Sequence, residues 1–295
     1  DLWHAAVNGR GSYFSAKDPA SLAVGLSSAL QGIASLTSDA AAAATSNPNI
    51  TPTDNYVFSS AFRSGEWYGE LERRNIDAAT GAVSATVDWQ ARTLLDAKAY
   101  ASRAIYTFDG SNASTKLRGF EWDNLTLAEK DYFSTTYLAT TASPTLSQFC
   151  VSGEICLNAT NQTAAGGAVL VNFLRGDRSN EGGENELNKF FRKRESVLGD
   201  IVSAEAVFVK KPQFEYADTG YGAYRTSQAS RQGMVYVAAN DGMLPAFNAD
   251  TGQEAWAYIP SMLMPKLYRL ADKRYAARHQ FFVDGSPTHA DVYFD

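Results

Sequence analysis

Hydrophobic residues form short runs separated by polar turn residues most clearly near the C-terminal end of the chain, in MVYVAANDGMLPAFNADTGQEAWAYIP. Short runs of this kind, rich in Val, Tyr, Phe and Trp, are typical of strands, and here the breaks fall at residues that favour tight turns. Asp241-Gly242 can supply the positive φ of a hairpin, and Asn248 to Gly252 has the Asn and Gly positions of a second turn. The stretch therefore predicts three antiparallel strands, Val235–Val237, Met243–Asn248 and Gln253–Ile259.

Four residues of this stretch have a spacing that is more specific than a hairpin alone. The pattern Ala-x-Asn-x-x-x-Gly-x-x-x-Trp is formed by Ala246, Asn248, Gly252 and Trp256. It resembles the tryptophan docking repeat of quinoprotein-type β-propellers, in which a turn glycine lets the backbone double back and a Trp ring lies across the neighbouring sheet. The alternative is an ordinary β-meander that carries a tryptophan by chance.

Strand patterns recur along the chain after residue 55. Further strands are predicted at Val57–Phe62, Trp67–Arg73, Val83–Trp89, Ala206–Val209, His279–Val283 and Ala290–Phe294. Asp77 to Gly81 repeats the turn pattern, but no tryptophan stands four residues after Gly81, so it counts as half a repeat. LTLAEKDYF predicts a short helix, and AVLVNFL predicts a helix or a strand. The fold class is therefore mainly β with a few helices, and includes the beginning of a quinoprotein-like β-propeller.

The N-terminal segment has the period of a helix instead. Asp18 is a natural N-cap, and apolar residues follow at Leu22, Leu26, Leu30 and Ile33. We expect this helix to be the end of an upstream domain. The predicted organisation is that helix at 1–37, a linker rich in Ala, Thr, Asn and Pro at 38–55, a β-rich region at 56–198, and the first, incomplete propeller blades at 199–295.

Composition excludes some partners. The 295 residues are 45% hydrophobic and carry a formal net charge of -6, which argues against nucleic acid because nucleic-acid binding favours a basic surface. FFRKRES, at residues 190–196, is the basic cluster, and it is expected to be a solvated helix face. No apolar run is long enough to span a membrane, so we expect no direct membrane insertion.

The two cysteines, Cys150 and Cys156, flank a short polar loop that contains Ser and Gly. This spacing suits a local disulfide, which would place the protein in an oxidising compartment such as the periplasm or the cell surface. Two reduced thiols are the alternative. A zinc site would require further ligands, and His4, His279 and His289 are scattered along the chain.

An ordered set of segments resembles the PilY1/PilC proteins associated with type IV pili. The segments are DLWHAAVNGRGSYFSA, WYGEL, DAATG, VLVNFLRGD, KFFRKRESVLGDIVSAEAVFV, VYVAANDGMLPAFNADTGQEAWAYIPS and FFVDGSPTHADV. The resemblance implies a large secreted protein with a von Willebrand factor A-like N-terminal domain and a C-terminal β-propeller. It also implies a location at the pilus tip or cell surface, reached through the periplasm and outer membrane, with minor pilins or the tip complex as partners. In that family the expected function is pilus assembly and extension, twitching motility, and attachment to surfaces or to a host-cell receptor.

The chain departs from the family pattern in two places. Pro245 stands where the family commonly has His, and proline inside a strand removes a ladder hydrogen bond, so this strand is expected to be an edge strand or bulged. The Asp-rich calcium loop of the family is missing, and Asp284, Asp291 and Asp295 are too far apart to assign as ligands. We therefore expect no cofactor in this chain and place calcium, if any, in a longer parent protein.

Arg175-Gly176-Asp177 is the tripeptide that integrins bind when it projects from a loop, so it is a candidate receptor-binding site. The alternative is a purely structural role, in which Asp177 caps the next segment and Arg175 faces water. No catalytic residues are predicted, and we do not expect the protein to be an enzyme. The alternatives are a quinoprotein-type dehydrogenase, which would need a base near a calcium-bound quinone, and a non-catalytic propeller that acts as an assembly scaffold.

Overall fold

The computed structural model describes residues 42–45, 54–212 and 214–292, which belong to one compact unit, Ala40–Asp295. These residues form strands connected by short helices and turns, so the predicted fold class, mainly β with a few helices, is confirmed. The predicted N-terminal helix lies outside the described residues.

The first sheet is antiparallel, with its four strands adjacent in the order in which they occur in the chain. The strands are β1 (Ala42–Thr45), β2 (Tyr56–Arg63), β3 (Tyr68–Asn75) and β4 (Trp89–Gln90). β2 and β3 pair along their whole lengths, with Phe58 opposite Arg73 and Ser60 opposite Leu71. Phe58 and Leu71 are fully buried because alternate residues of each strand face the interior.

The second sheet contains the strands predicted from the hydrophobic pattern. Its members are β5 (Ile105–Phe108), β6 (Leu117–Gly119), β9 (Val207–Val209), β10 (Met234–Tyr236), β11 (Leu244–Asn248) and β12 (Glu254–Ile259), in the order β6-β5-β12-β11-β10-β9. Neighbours are antiparallel except for the parallel pair β5 and β12. β7 (Glu181–Gly182) and β8 (Phe191–Arg192) form a separate parallel pair.

Short helices connect the strands. They are α1 (Ala91–Asp96), α2 (Leu127–Asp131), α3 (Ala159–Ala164), α4 (Ala168–Arg175), α5 (Tyr221–Ser227) and α6 (Met264–Leu267), with short 3₁₀ and π turns between them. α2 begins with a capping box, in which the Thr126 hydroxyl accepts from the Glu129 N–H and the Glu129 carboxylate accepts from the Thr126 N–H. α4, which the sequence left open between helix and strand, is a helix that buries Leu170, Val171 and Phe173.

Several predicted strands are wrong. No strand forms at His279–Val283 or at residues 290–292. Hydrogen bonds that involve side chains hold the first of these segments instead: Asn240 Oδ1 accepts from the Phe282 N–H at 2.9 Å, and the neighbouring Asp284 accepts from the Ser203 N–H at 3.1 Å. Of the predicted strand Val83–Trp89, only its end belongs to a strand, β4. Conversely, β1 lies inside the predicted linker and pairs with β2 from Ala42↔Ser60 to Thr45↔Val57.

The basic cluster of residues 190–196 is also not the solvated helix face that was predicted. It contains β8, and the Arg194 guanidinium is buried against the Glu181 carboxylate, with an Nη2–Oε1 distance of 2.6 Å. The Arg192 Nε donates to the Leu270 carbonyl at 2.7 Å, and its guanidinium lies 4.1 Å from the centre of the Tyr275 ring. Partners far away in sequence therefore draw these charges inward, which a local charge pattern does not reveal.

The two large sheets pack against each other through a shared core. Phe58 of β2 stacks on Phe208 of β9 at 5.3 Å and lies 5.9 Å from the Trp89 ring. At the start of β3, the Gly69 N–H donates to the Leu198 carbonyl at 3.2 Å, and a Cβ at Gly69 would lie 2.4 Å from the Gly199 carbonyl oxygen. A glycine is therefore required where the first sheet meets the segment that leads into β9.

Candidate functional site

The turn between β11 and β12 has the geometry that its sequence predicts. The Asn248 side-chain oxygen accepts hydrogen bonds from the N–H groups of Asp250 and Thr251, at 2.9 and 3.1 Å. The Gly252 N–H donates to the Asn248 carbonyl at 2.8 Å, and Gly252 has a φ of 71°, in the left-handed region that favours glycine. Asn248 and Gly252 therefore fix the shape of this turn.

The other two residues of the docking pattern lie directly opposite each other. Ala246 of β11 pairs with Trp256 of β12, and Ala246 is fully buried. The Trp256 ring is partly buried and lies 5.8 Å from the Tyr236 ring of the same sheet. The β11–β12 register shifts between Ala246 and Phe247, and the residue left over is Ala255 of β12. β11 lies between β10 and β12, so the expectation that Pro245 makes its own strand an edge strand or a bulged one is wrong. The pairing of β10 with β11 ends at Ala246, so the missing N–H of Pro245 falls beyond it.

A different tryptophan, Trp89 of β4, lies on this turn from the other sheet. Its indole Nε1 donates to the Ala249 carbonyl at 3.0 Å, and its side chain is buried. A Cβ placed on Gly252 would come within 2.6 Å of the Trp89 ring, so glycine also makes room for the indole. Arg73 of β3 supports the contact by donating from Nη1 to the same Ala249 carbonyl at 2.8 Å. Trp89 thus fastens the first sheet to the β11–β12 turn.

Sequence reasoning missed Trp89, although the strand register contains a signal for it. In the first sheet Trp89 stands opposite Arg73, and Asn75 comes two residues after Arg73. In the second sheet Trp256 stands opposite Ala246, and Asn248 comes two residues after Ala246. The connection from Asn75 to Trp89 is longer than that from Asn248 to Trp256. It contains the same kind of turn, in which the Gly81 N–H donates to the Asp77 carbonyl at 2.8 Å, but Trp89 comes eight residues after the glycine and Trp256 only four. A search at fixed spacing after the turn glycine therefore cannot find this tryptophan.

A buried ion pair lies next to the β11–β12 turn, at the start of β12. The Arg103 Nε and Nη2 atoms donate to the two carboxylate oxygens of Glu254 at 2.9 and 2.6 Å, and the Glu254 side chain is fully buried. Burial alone would lower the pKa of Arg103, but Glu254 raises that pKa above its ordinary value. Two bonds between a guanidinium and a carboxylate hold this end of β12 firmly to the segment before β5.

Asp241, in the tight turn before β11, is partly buried and lies close enough to Arg103 for the two charges to interact. Its carboxylate accepts from the N–H groups of Gly199 and Met243 at 3.2 and 3.0 Å. Burial raises the pKa of Asp241 to about 6, and Arg103 offsets only part of this effect. The folded protein therefore binds a proton at Asp241 at a pH at which an unfolded aspartate, with a pKa of 3.8, does not.

This difference predicts a pH dependence of stability. The contribution of Asp241 is fully present below the unfolded pKa and is lost as the pH rises through about 6. Between pH 7 and pH 5 the free energy of unfolding should gain about 1 kcal/mol from this group. Urea unfolding of the wild type and of Asp241→Asn at both pH values measures the effect, and an equal change with pH in the two proteins would contradict it.

The Arg-Gly-Asp tripeptide does not project from the surface. Arg175 is the last residue of α4 and is only 3% exposed, and its guanidinium donates to the carbonyls of Phe120, Tyr100 and Arg103 at 2.7 to 3.2 Å. Gly176 is the left-handed C-cap of the helix, and the Asp177 carboxylate accepts from the Ser179 N–H. Both sequence interpretations of Arg175 need correction, because burial prevents it from facing water and from contacting a receptor.

Cys150 and Cys156 are joined by a disulfide in the structure, with Cα atoms 5.1 Å apart. It closes a loop whose first residue, Val151, is fully exposed. The bond restricts the conformations of an exposed loop, and disulfides of this kind form and persist in oxidising compartments.

The aspartates considered for calcium have other partners. Asp284 accepts from the Ser203 N–H, and Asp291 accepts from the hydroxyls of Tyr221 and Tyr224. Asp295 lies outside the described residues. In the described part of the chain, no three His, Cys, Asp or Glu side chains come together as a metal site, so these residues do not fit a calcium ion. In the same part, no helix is long and apolar enough to cross a membrane.

Comparison with known proteins identifies the family. Residues 198–295 match the PilY1 beta-propeller domain. The whole chain aligns with type IV pilus biogenesis factor PilY1 of Pseudomonas aeruginosa, at 34% identity for strain UCBPP-PA14 and 31% for strain PAK, and it spans 24% of the length of each. A PilY1 homolog of Xylella fastidiosa is 32% identical over 96% of the chain, which spans 20% of that protein. No solved structure gives a significant match. Residues 198–295 therefore belong to the PilY1 β-propeller domain family, and the chain as a whole is similar to about a quarter of the length of PilY1 proteins.

Proposed function

We propose that this protein is a type IV pilus biogenesis factor that acts by binding and not by catalysis. The observation that carries the proposal is the alignment of the entire chain with proteins named as such factors, at 31 to 34% identity. In this proposal the protein works at the pilus tip or cell surface, supports pilus assembly and extension, and enables twitching motility and attachment. Its partners are minor pilins and other components of the pilus tip.

The docked sheets support a binding role. A factor that assembles a filament must keep its contact surfaces in a fixed arrangement, and the Trp89 contact with the β11–β12 turn fixes one sheet relative to the other. The disulfide between Cys150 and Cys156 is consistent with passage through the periplasm to the surface. Attachment to a host receptor remains part of the proposal, but the buried Arg175 makes other surfaces better candidates for it.

The test is a strain that lacks the gene for the protein. Surface pili are counted by electron microscopy and twitching zones are measured, with complementation by the wild type, by Trp89→Ala, and by Glu184→Gln, which alters an exposed ion pair. We expect loss of pili or of motility, rescue by the wild type and by Glu184→Gln, and weaker rescue by Trp89→Ala. Unchanged piliation together with loss of a quinone-dependent oxidation would overturn the proposal and favour the dehydrogenase alternative.

A further inference from the structure

The connection between β9 and β10 is far longer than a hairpin requires. The two strands pair antiparallel with Val209 opposite Met234, and residues 210–233 form the link between them. Hairpins of adjacent strands usually have loops of about 2–5 residues, and much longer loops are commonly functional. This loop also contains a cluster of aromatic residues, which we call the aromatic loop patch: Phe214, Tyr216, Tyr221 and Tyr224.

The rings of the aromatic loop patch form a continuous row. Neighbouring ring centres are 5.8 Å apart for Phe214 and Tyr216, 5.0 Å for Tyr216 and Tyr221, and 5.8 Å for Tyr221 and Tyr224. Phe214 is 63% exposed and Tyr216 is 52% exposed. Contiguous apolar surface of this kind is uncommon on soluble proteins away from interaction sites.

The row is held in place and not left loose. The two carboxylate oxygens of Asp291 accept from the Tyr221 and Tyr224 hydroxyls at 2.7 and 2.9 Å. The Arg225 guanidinium pairs with the Glu215 carboxylate, which ties α5 back to the first part of the loop. A fixed row of rings loses little conformational entropy on binding, so it suits recognition.

The charges around the row indicate what it binds. Glu215 pairs with Arg225, so this guanidinium is not available to a phosphate or sulfate. The Asp291 carboxylate on the Tyr221 and Tyr224 hydroxyls adds a negative charge that disfavours an anionic strand on the rings. The patch fits a neutral sugar chain, because the C–H face of a pyranose ring can lie flat on an aromatic ring while its hydroxyls bond polar side chains of the same loop, such as the exposed Asp218.

We propose that the aromatic loop patch binds neutral polysaccharide, with sugar rings stacked on Phe214 and Tyr216 and hydroxyls bonded at its polar rim. This inference deepens the attachment part of the proposed function and rests on it for its biological setting. The binding itself is tested with purified protein, so it can fail while piliation remains intact, and piliation can fail while sugar binding holds.

The test is affinity electrophoresis of the purified protein in native gels that contain yeast mannan, dextran or laminarin, with heparin as the anionic control. The variant Phe214→Ala/Tyr216→Ala is compared with Leu127→Ala/Met262→Ala, which removes two side chains that are 87% and 80% exposed elsewhere. We expect at least one neutral polysaccharide to retard the wild type and the control variant, and the affinity of the patch variant to be about tenfold weaker. Urea unfolding midpoints verify that all variants are folded.

Three results would overturn the inference. They are the absence of retardation by all three neutral polysaccharides, retardation that is equal in the patch variant and the wild type, and retardation by heparin alone. Sedimentation velocity tests whether the patch instead binds a second copy of the chain. Self-association of the wild type that disappears in Phe214→Ala/Tyr216→Ala would mean that the patch is an interface between copies.

Discussion

Replacing Trp89 by alanine is expected to lower the free energy of unfolding by about 3–5 kcal/mol. The buried indole fills the space over Gly252 and donates to the Ala249 carbonyl at 3.0 Å, so the variant leaves a cavity and removes one of the two hydrogen bonds to that carbonyl, the other coming from Arg73. Because small domains are stable by only about 5–15 kcal/mol, this is a large share of the total. Urea or thermal unfolding followed by circular dichroism measures it.

Two further variants separate the parts of this effect. Trp89→Phe keeps most of the ring but removes the N–H donor, and we expect it to cost about 1 kcal/mol. Trp256→Ala removes a tryptophan that is only partly buried, and its cost should be clearly smaller than that of Trp89→Ala. Equal losses for Trp89→Ala and Trp256→Ala would show that Trp89 has no special role between the sheets.

Replacing Glu254 by glutamine is expected to lower the free energy of unfolding by about 3–5 kcal/mol. The shape of the side chain is kept, but the fully buried Arg103 charge loses the carboxylate that accepts two of its hydrogen bonds. An uncompensated charge in this position is costly because water cannot replace the partner. The measurement is again urea unfolding at neutral pH.

The matched control for Glu254→Gln is Glu184→Gln. Glu184 forms an ion pair with Arg274 at 3.3 Å, but both side chains are about half exposed, so we expect a change below about 1 kcal/mol. Similar effects of the two substitutions would contradict the importance of burial at Glu254.

The strands of the second sheet could be predicted from the sequence because their signals are local. β10, β11 and β12 are short, mostly apolar runs, and their turns contain the Asp-Gly and Asn-to-Gly patterns that require particular backbone angles. The prediction for Pro245 was wrong because the effect of a proline depends on how far the neighbouring strand extends, and β10 pairs with β11 only as far as Ala246.

The inter-sheet contact and the buried charges could not be predicted, because they depend on residues far apart in the chain. Trp89 and Ala249 meet only when two sheets pack together. Arg175 was read as part of a surface tripeptide, but its partners are carbonyls of Phe120, Tyr100 and Arg103, well away in sequence. Short-range patterns report strand and turn geometry, whereas burial of a charge is decided by what the fold brings around it.

The coupling free energy between Trp89 and Gly252 tests the docking of the two sheets most directly. Gly252→Ala alone should be destabilising, because alanine is strained at a φ of 71° and its Cβ would overlap the indole. In the Trp89→Ala background the overlap with the indole disappears, and only the flexible end of the Leu94 side chain, 2.8 Å from the added Cβ, has to shift. The double variant should therefore be more stable than the sum of the two losses by about 1 kcal/mol or more. Gly65→Ala provides the matched control, since Gly65 has a φ of 85° with no atom within 4 Å of an added Cβ, and it should show no coupling to Trp89. Additive effects of Trp89→Ala and Gly252→Ala would contradict the docking of Trp89 on this turn.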